Sequence, residues 1–248
     1  MAHPEQLEFV RSVRNRLGGQ FENVRVLEVG SLDINGSVRS FFKDCDYTGI
    51  DVAPGKGVDL VCEGQLLGLP SGHFDTVISC EAMEHNPFWV ETMANMFRLC
   101  RPGGLVVMTC ATQGRAEHGT SRTNPADSPL TVGLKWDYYR NLAEKDFRAV
   151  FDFDRWFSDF KFFQNWNSFD LFFVGTRHGN DSCELSALAQ EIELQCVPKG
   201  HIAVLKRKAL YSILGDHGMD RARRWLMGHN IEPSLRIYVL IRTNLALK

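Results

Sequence analysis

The sequence carries no surplus of positive charge, no cysteine pairing pattern and no long apolar run, and each absence removes a class of function. Its 28 lysines and arginines against 30 acids give a formal net charge of −2, so no global positive field draws the chain to nucleic acid or an anionic membrane. The seven cysteines, at 45, 62, 80, 100, 110, 183 and 196, include no CxxC pair and no Cys/His spacing of a zinc site. Their odd number argues against a disulfide framework; reduced thiols packed as small hydrophobes are expected. No segment reaches membrane-spanning length, and the opening MAHPEQLEFVRSVRNRLGG mixes acids and arginines where a signal peptide needs an apolar core. A cytoplasmic protein is the expectation, with no membrane span. No internal repeat or low-complexity tract is present.

What is present fits one generous globular domain, or one domain with an appended part: 248 residues, 44% hydrophobic and 23% charged. Apolar positions from Pro4 to Leu17 recur at helical spacing until Gly18-Gly19 ends them. VRVLEV (24–29) then reads as a buried strand and SVRSFFKD (37–44) as a helix. Further strands are expected at 47–51, 58–62, 74–80 and 105–111, with a helix over 87–100 stopped by Arg101-Pro102-Gly103-Gly104. Residues 112–142 lack periodicity, which marks a functional lid or a misread element; a substrate lid is the preferred reading. A helix over 144–157 and an antiparallel hairpin over 159–177 complete the pattern. Strands alternating with helices imply an α/β fold with a mostly parallel sheet. Past Arg177 a polar connector (178–184) leads to a short helix, an amphipathic helix over 201–215, a basic helical piece and a strand over 235–242. The expected division is a domain over 1–177 and a mainly helical extension over 178–248.

The chain turns sharply within VRVLEVGSLDINGSVRSFF (24–42), where an apolar strand ends in an acid and opens through glycine. In doubly wound sheets that corner is the entrance of a nucleotide-type site. A phosphate-cradling loop would need lysine after Gly36, and a dinucleotide site wants GxGxxG, whereas Gly30 and Gly36 frame SLDIN. An acid there would also repel pyrophosphate; it suits a ligand with a positive end.

At this corner the chain resembles the class I S-adenosylmethionine-dependent methyltransferases, whose first motif is an apolar strand ending in Glu or Asp followed by Gly-x-Gly. VLEVGS (26–31) is the match, and others follow in order: Asp51 ending the second strand, GQLLGLPSGHFDTVIS (64–79), SCEAMEHNPF (79–88) and LCRPGGLVVMT (99–109). The chain departs from the pattern at Leu32 and Ile34, where glycine is usual, and offers Asn35-Gly36-Ser37 slightly later. The resemblance implies a Rossmann-like, doubly wound, seven-stranded sheet with an antiparallel terminal hairpin, and S-adenosyl-L-methionine as cofactor. Carried over by position, Glu28 organises the methionine amine end, Gly30 and Ser31 line the methionine portion, and Asp51 accepts both ribose hydroxyls. Val52 packs on the adenine, Gln65 and Leu66 border its edge, and Cys80 offers its backbone near the amine.

His85 follows the fourth strand, where the transferable methyl is expected, and either removes a substrate proton or bonds a loop as a structural histidine. His118, inside GRAEHGTSR (114–122), either faces a polar acceptor or is a surface-loop histidine. Arg122, Trp136 and Tyr139 are the candidate acceptor contacts, a mix suited to a polar small molecule such as a sugar or sugar-bearing metabolite, methylated on oxygen in glycan or natural-product biosynthesis. No metal-ligand cluster is visible, so metal independence is expected. From Lys199 onward ten Lys or Arg stand against three acids, either the solvated side of amphipathic helices or a face for RNA. An RNA methyltransferase and a non-catalytic methyltransferase-like scaffold are the alternatives, and a homodimer stays open.

Overall fold

The computed structural model describes residues 3–179, 185–198, 211–213 and 215. It opens with helix α1 (Pro4–Arg16), whose first position proline occupies without loss of a hydrogen bond, and whose Phe9, Val10 and Val13 form a buried face. Seven strands follow: β1 (Arg25–Val29), β2 (Asp46–Asp51), β3 (Leu60–Val61), β4 (Phe74–Cys80), β5 (Cys100–Ala111), β6 (Phe157–Asn165) and β7 (Asp170–Arg177). They form one sheet in the order β3-β2-β1-β4-β5-β7-β6, parallel from β3 to β5, with β7 antiparallel to both its neighbours. The expected doubly wound architecture with its antiparallel hairpin is therefore present.

Because the sheet is covered on both faces, its central strands are continuously apolar and successive side chains serve opposite layers. Leu27, Val77 and Val106 join the layer beneath α2 (Trp89–Leu99), where Phe97 meets Phe151, Phe157 and Phe173 with ring centroids 4.9–6.4 Å apart. Val26, Ile78 and Val107 join the opposite layer, built from α1 and from α6 (Ser186–Cys196) through Leu188 and Ile192. Helix α6, on the far side of the 178–184 connector, thus shares a core with the first helix.

Three sequence expectations need correction. The helix over 37–44 is only a 3-10 turn, Val38–Phe41, after which the chain is extended: Phe42 stacks on Phe21 at 4.5 Å and the Lys43 N–H donates to the Phe21 carbonyl. The helix over 144–157 is broken into α4 (Glu144–Arg148) and α5 (Phe153–Trp156), with Phe157 already in β6. The long segment 112–142 contains a 3-10 turn (Pro125–Asp127) and α3 (Pro129–Gly133), and its end is anchored in the core, since Leu142 is fully buried and bonded to the Ala111 carbonyl. The helix expected over 186–195 is α6. Of the 201–215 helix, residues 211–213 and 215 are described and are helical; the basic piece and the strand over 235–242 lie outside the described residues.

Candidate functional site

The sheet's order reverses between β1 and β4, so the carboxyl ends of these strands and of β2 splay apart and leave a crevice. β1 delivers Glu28 and Gly30 there, β2 delivers Asp51, and β4 delivers Cys80 and Glu81. Gly30 adopts φ +81°, and a Cβ on it would stand 2.5 Å from the Ala82 Cβ, so only glycine lets β1 turn beside the end of β4. The loop then lies against β2: the Gly30 and Ser31 amides donate to the Ile50 carbonyl, and the Leu32 amide donates to Asp51 Oδ2 at 3.0 Å. Leu32, where the family's glycine is missing, packs toward Gly55 instead.

Two adjoining clefts open at this edge, enclosing about 680 and about 390 Å³ and sharing Gly30, Asp51, Ala82 and Thr131. The larger holds Glu28, Ser31, Cys80 and His85; the smaller holds Val52, Gln65 and Trp136. Leu66 lines neither, its side chain being 66% exposed. Glu28 is buried and accepts a hydrogen bond from the Tyr47 hydroxyl at 2.8 Å; burial lifts its carboxyl to about 7 despite that bond. Burial also raises Asp51, opposed by the amides of Val52 and Leu32 that its two oxygens accept. Ser31 Oγ is buried with no hydrogen-bond partner at the wall of the larger cleft. A buried carboxyl at Glu28, an unpartnered hydroxyl at Ser31, a second carboxyl at Asp51 and the Val52 and Gln65 side chains in the adjoining cleft are the kinds of group a sulfonium-bearing nucleoside needs, so S-adenosylmethionine fits the residues present.

Besides Glu28, the larger cleft is lined by His85 and by Asp127 to Thr131 of the 112–142 segment. Glu84, His118 and Tyr139 line neither cleft and gather around His85. The His85 ring lies 4.9 Å from that of His118 and 5.5 Å from that of Tyr139, and His118 Nε2 faces Glu84 Oε1 at 4.0 Å. Burial, then the neighbouring His118, lowers His85 to about 3; burial lowers His118 as well. Burial, then the Glu81 carboxylate, raises Glu84 to about 8. Both imidazoles are consequently neutral, and weak bases, at physiological pH. Tyr139 Oη bonds to Asn141 Oδ1 at 2.9 Å and lines neither cleft. Arg122 also stands outside, cross-linking the loop through Glu117 and Asp137 at 2.7 and 3.0 Å.

Sequence reasoning missed a second buried group behind Glu81. His3 Nε2 lies 3.0 Å from Asp170 Oδ2 and 3.6 Å from Glu81 Oε2, and Arg115 Nη1 lies 3.4 Å from Asp170 Oδ1. Burial opposes charge on His3, but Asp170 and Glu81 outweigh it and raise the imidazole to about 10. Burial likewise opposes charge on Glu81, yet His3 holds that carboxyl down to about 2. The group pins α1 over the crevice, where Gln6 joins the lining. Polar residues scattered over positions 3, 81, 115 and 170 leave no spacing signal; the Glu-x-x-Glu-His run at 81–85 was the only local hint.

A doubly wound sheet with an acid-glycine corner, a second acid one strand later and a cleft joining them defines a class I S-adenosylmethionine-dependent methyltransferase. The chain belongs to the methyltransferase-domain family, which matches residues 1–220 and uses S-adenosylmethionine as its methyl donor. Among solved structures it is similar to phosphoethanolamine N-methyltransferase 2 of Haemonchus contortus, in complex with phosphomonomethylethanolamine and S-adenosylhomocysteine, at 13% identity and TM-score 0.50, over 69% of this chain and 52% of that one. The chain thus spans about half the length of that structure. It is also similar to the 1,6-didemethyltoxoflavin-N1-methyltransferase of Burkholderia thailandensis (14% identity, TM-score 0.49, 70% of this chain and 78% of that one) and to the N-methyltransferase NodS of Bradyrhizobium japonicum (15%, 0.46, 71% and 88%). No curated protein matches the sequence. Among the described residues no helix is long and apolar enough to cross a membrane.

Proposed function

We propose that the chain methylates a hydroxyl of a polar small molecule, a sugar or sugar-bearing metabolite, with residues 112–142 as the substrate lid. One observation carries this reading: the cleft lined by Glu28 and Asp51 is lined also by His85 and by Asp127, Ser128 and Thr131 of the proposed lid, so donor and acceptor would share one chamber. S-adenosylmethionine, when bound, supplies an electrophilic methyl group on a sulfonium. The chain's work is to hold the two partners in line and exclude water. Glu28 balances the positive end of the donor, and Asp51 fixes its ribose. The neutral His85 lines the cleft without adding a charge that would repel the sulfonium.

Incubation with radiolabelled S-adenosylmethionine and fractionated cell metabolites is expected to place the label in a small polar molecule as a methyl ether. Label on an amine, on carbon or on RNA overturns the acceptor assignment. Asp51→Ala should weaken S-adenosylmethionine binding by about 100-fold or more, the worth of two charge-assisted hydrogen bonds. Unchanged calorimetric affinity removes Asp51 from the donor site.

A further inference from the structure

The Glu84, His85 and His118 group is not satisfied by the fold. Glu84 is 0% exposed and His85 3%. Neither carboxyl oxygen of Glu84 and neither ring nitrogen of His85 makes a well-formed hydrogen bond, Glu84's own amide and the Tyr138 backbone giving them only weak support. Buried acceptors left in this state cost free energy unless something else meets them.

The geometry shows what would meet them. His118 Nδ1 lies 3.1 Å from the Ala116 carbonyl oxygen, which can only accept, so the ring proton sits on Nδ1 and the lone pair on Nε2. That lone pair points at Glu84 Oε1 from 4.0 Å, too far for a shared proton to bond both. The arrangement matches a metal-ligating histidine, whose second nitrogen is fixed by a backbone carbonyl. One potential donor atom from each of Glu84, His85 and His118 lies within 4.8 Å of the others. Ligands on one ion stand roughly 3 to 3.5 Å apart, so a contraction of up to about 1.5 Å closes the group, and of the three residues His118 is the one on the 112–142 loop.

We infer that Glu84, His85 and His118 form a site for one divalent first-row transition ion, beside the cleft that His85 borders. Two imidazoles with one carboxylate suit such an ion better than magnesium or calcium, which prefer all-oxygen shells. Three protein ligands leave coordination positions for a substrate oxygen, and an ion there would polarise an acceptor hydroxyl. That use rests on the O-methylation reading; the binding of the ion does not. The site replaces the sequence-based expectation of metal independence.

Full-length protein dialysed against a chelator and titrated with Co²⁺, followed by its visible absorption and by calorimetry, is expected to bind one ion saturably. Glu84→Gln and His118→Ala should each weaken binding by about 100-fold or more, since loss of groups that merely orient ligands costs 10- to 100-fold. His3→Gln, which alters the neighbouring cluster, should keep the wild-type affinity. His118→Ala changes a loop residue and so reports even where Glu84→Gln fails to fold. Absence of saturable one-to-one binding, wild-type affinity in either ligand variant, or loss of binding in a folded His3→Gln overturns the proposal. Wild-type binding together with a labelled amine product keeps the site and rejects the hydroxyl reading.

Discussion

Two clusters of nearly the same composition flank one short turn after β4, and they behave oppositely. Behind the turn, Glu81 and Asp170 face the cations His3 and Arg115, so opposite charges meet inside the protein. In front of it, Glu84 faces two neutral imidazoles whose lone pairs meet nothing of the kind. Glu81, at φ +53°, is the pivot that lets residues three apart serve different chambers. Residue type alone does not separate the two clusters. What separates them is charge pairing: the first cluster sets an imidazolium and a guanidinium against its carboxylates and holds α1 down, whereas Glu84 meets only neutral imidazoles and is held ready for a ligand.

The largest expected effect comes from breaking the ion-paired cluster. His3→Gln leaves buried carboxylates without their imidazolium and should destabilise the protein by about 3 kcal/mol in urea unfolding, as removal of one partner of a buried ion pair does. A loss no larger than that of a surface substitution rejects the pinning role. The difference between wild type and this variant should also depend on pH. His3 rises from 6.5 unfolded to about 10 folded, so its contribution is complete below about 6.5 and disappears as pH climbs through 10. Glu81 falls from 4.5 to about 2, so its contribution is complete above about 4.5 and disappears as pH drops through 2. The gap should therefore be widest between about pH 4.5 and 6.5; a gap that grows toward pH 10 contradicts the pairing.

The second cluster should respond in the other sense. In chelator-treated protein, Glu84→Gln replaces one unpartnered oxygen by an amide able to donate to the neighbouring imidazoles, and stability should stay within about 1 kcal/mol of wild type or rise. A loss matching that of His3→Gln would erase the distinction between the clusters. Smallest of all, Arg122→Ala removes two ion pairs of a half-exposed side chain and should cost under about 0.5 kcal/mol. A larger cost would mean that Arg122 holds the loop that carries His118.

The strands and the crevice were legible in the sequence because both depend on short local patterns. Buried parallel strands appear as apolar runs, and Gly30 and Asp51 stand at strand ends where the chain must turn. The helix over 37–44 misled because its apolar residues sit at helical spacing, yet it is eight residues long and holds valine and two phenylalanines, weak helix formers without tertiary support. Stacking of Phe42 on Phe21 decided the matter. Near residue 150 the break places Phe151 and Phe153 both on Phe97, with Asp152 extended as the cap of α5. The two polar clusters were illegible for a different reason. His118 reaches Glu84, and His3 reaches Asp170, only through the closed tertiary structure.

Helix α3 contributes no buried side chain, yet Thr131 within it touches both clefts. Five residues at the rim can therefore be rewritten as a cassette without repacking the scaffold, and a library randomised there should alter what both clefts accept while the sheet beneath is inherited unchanged.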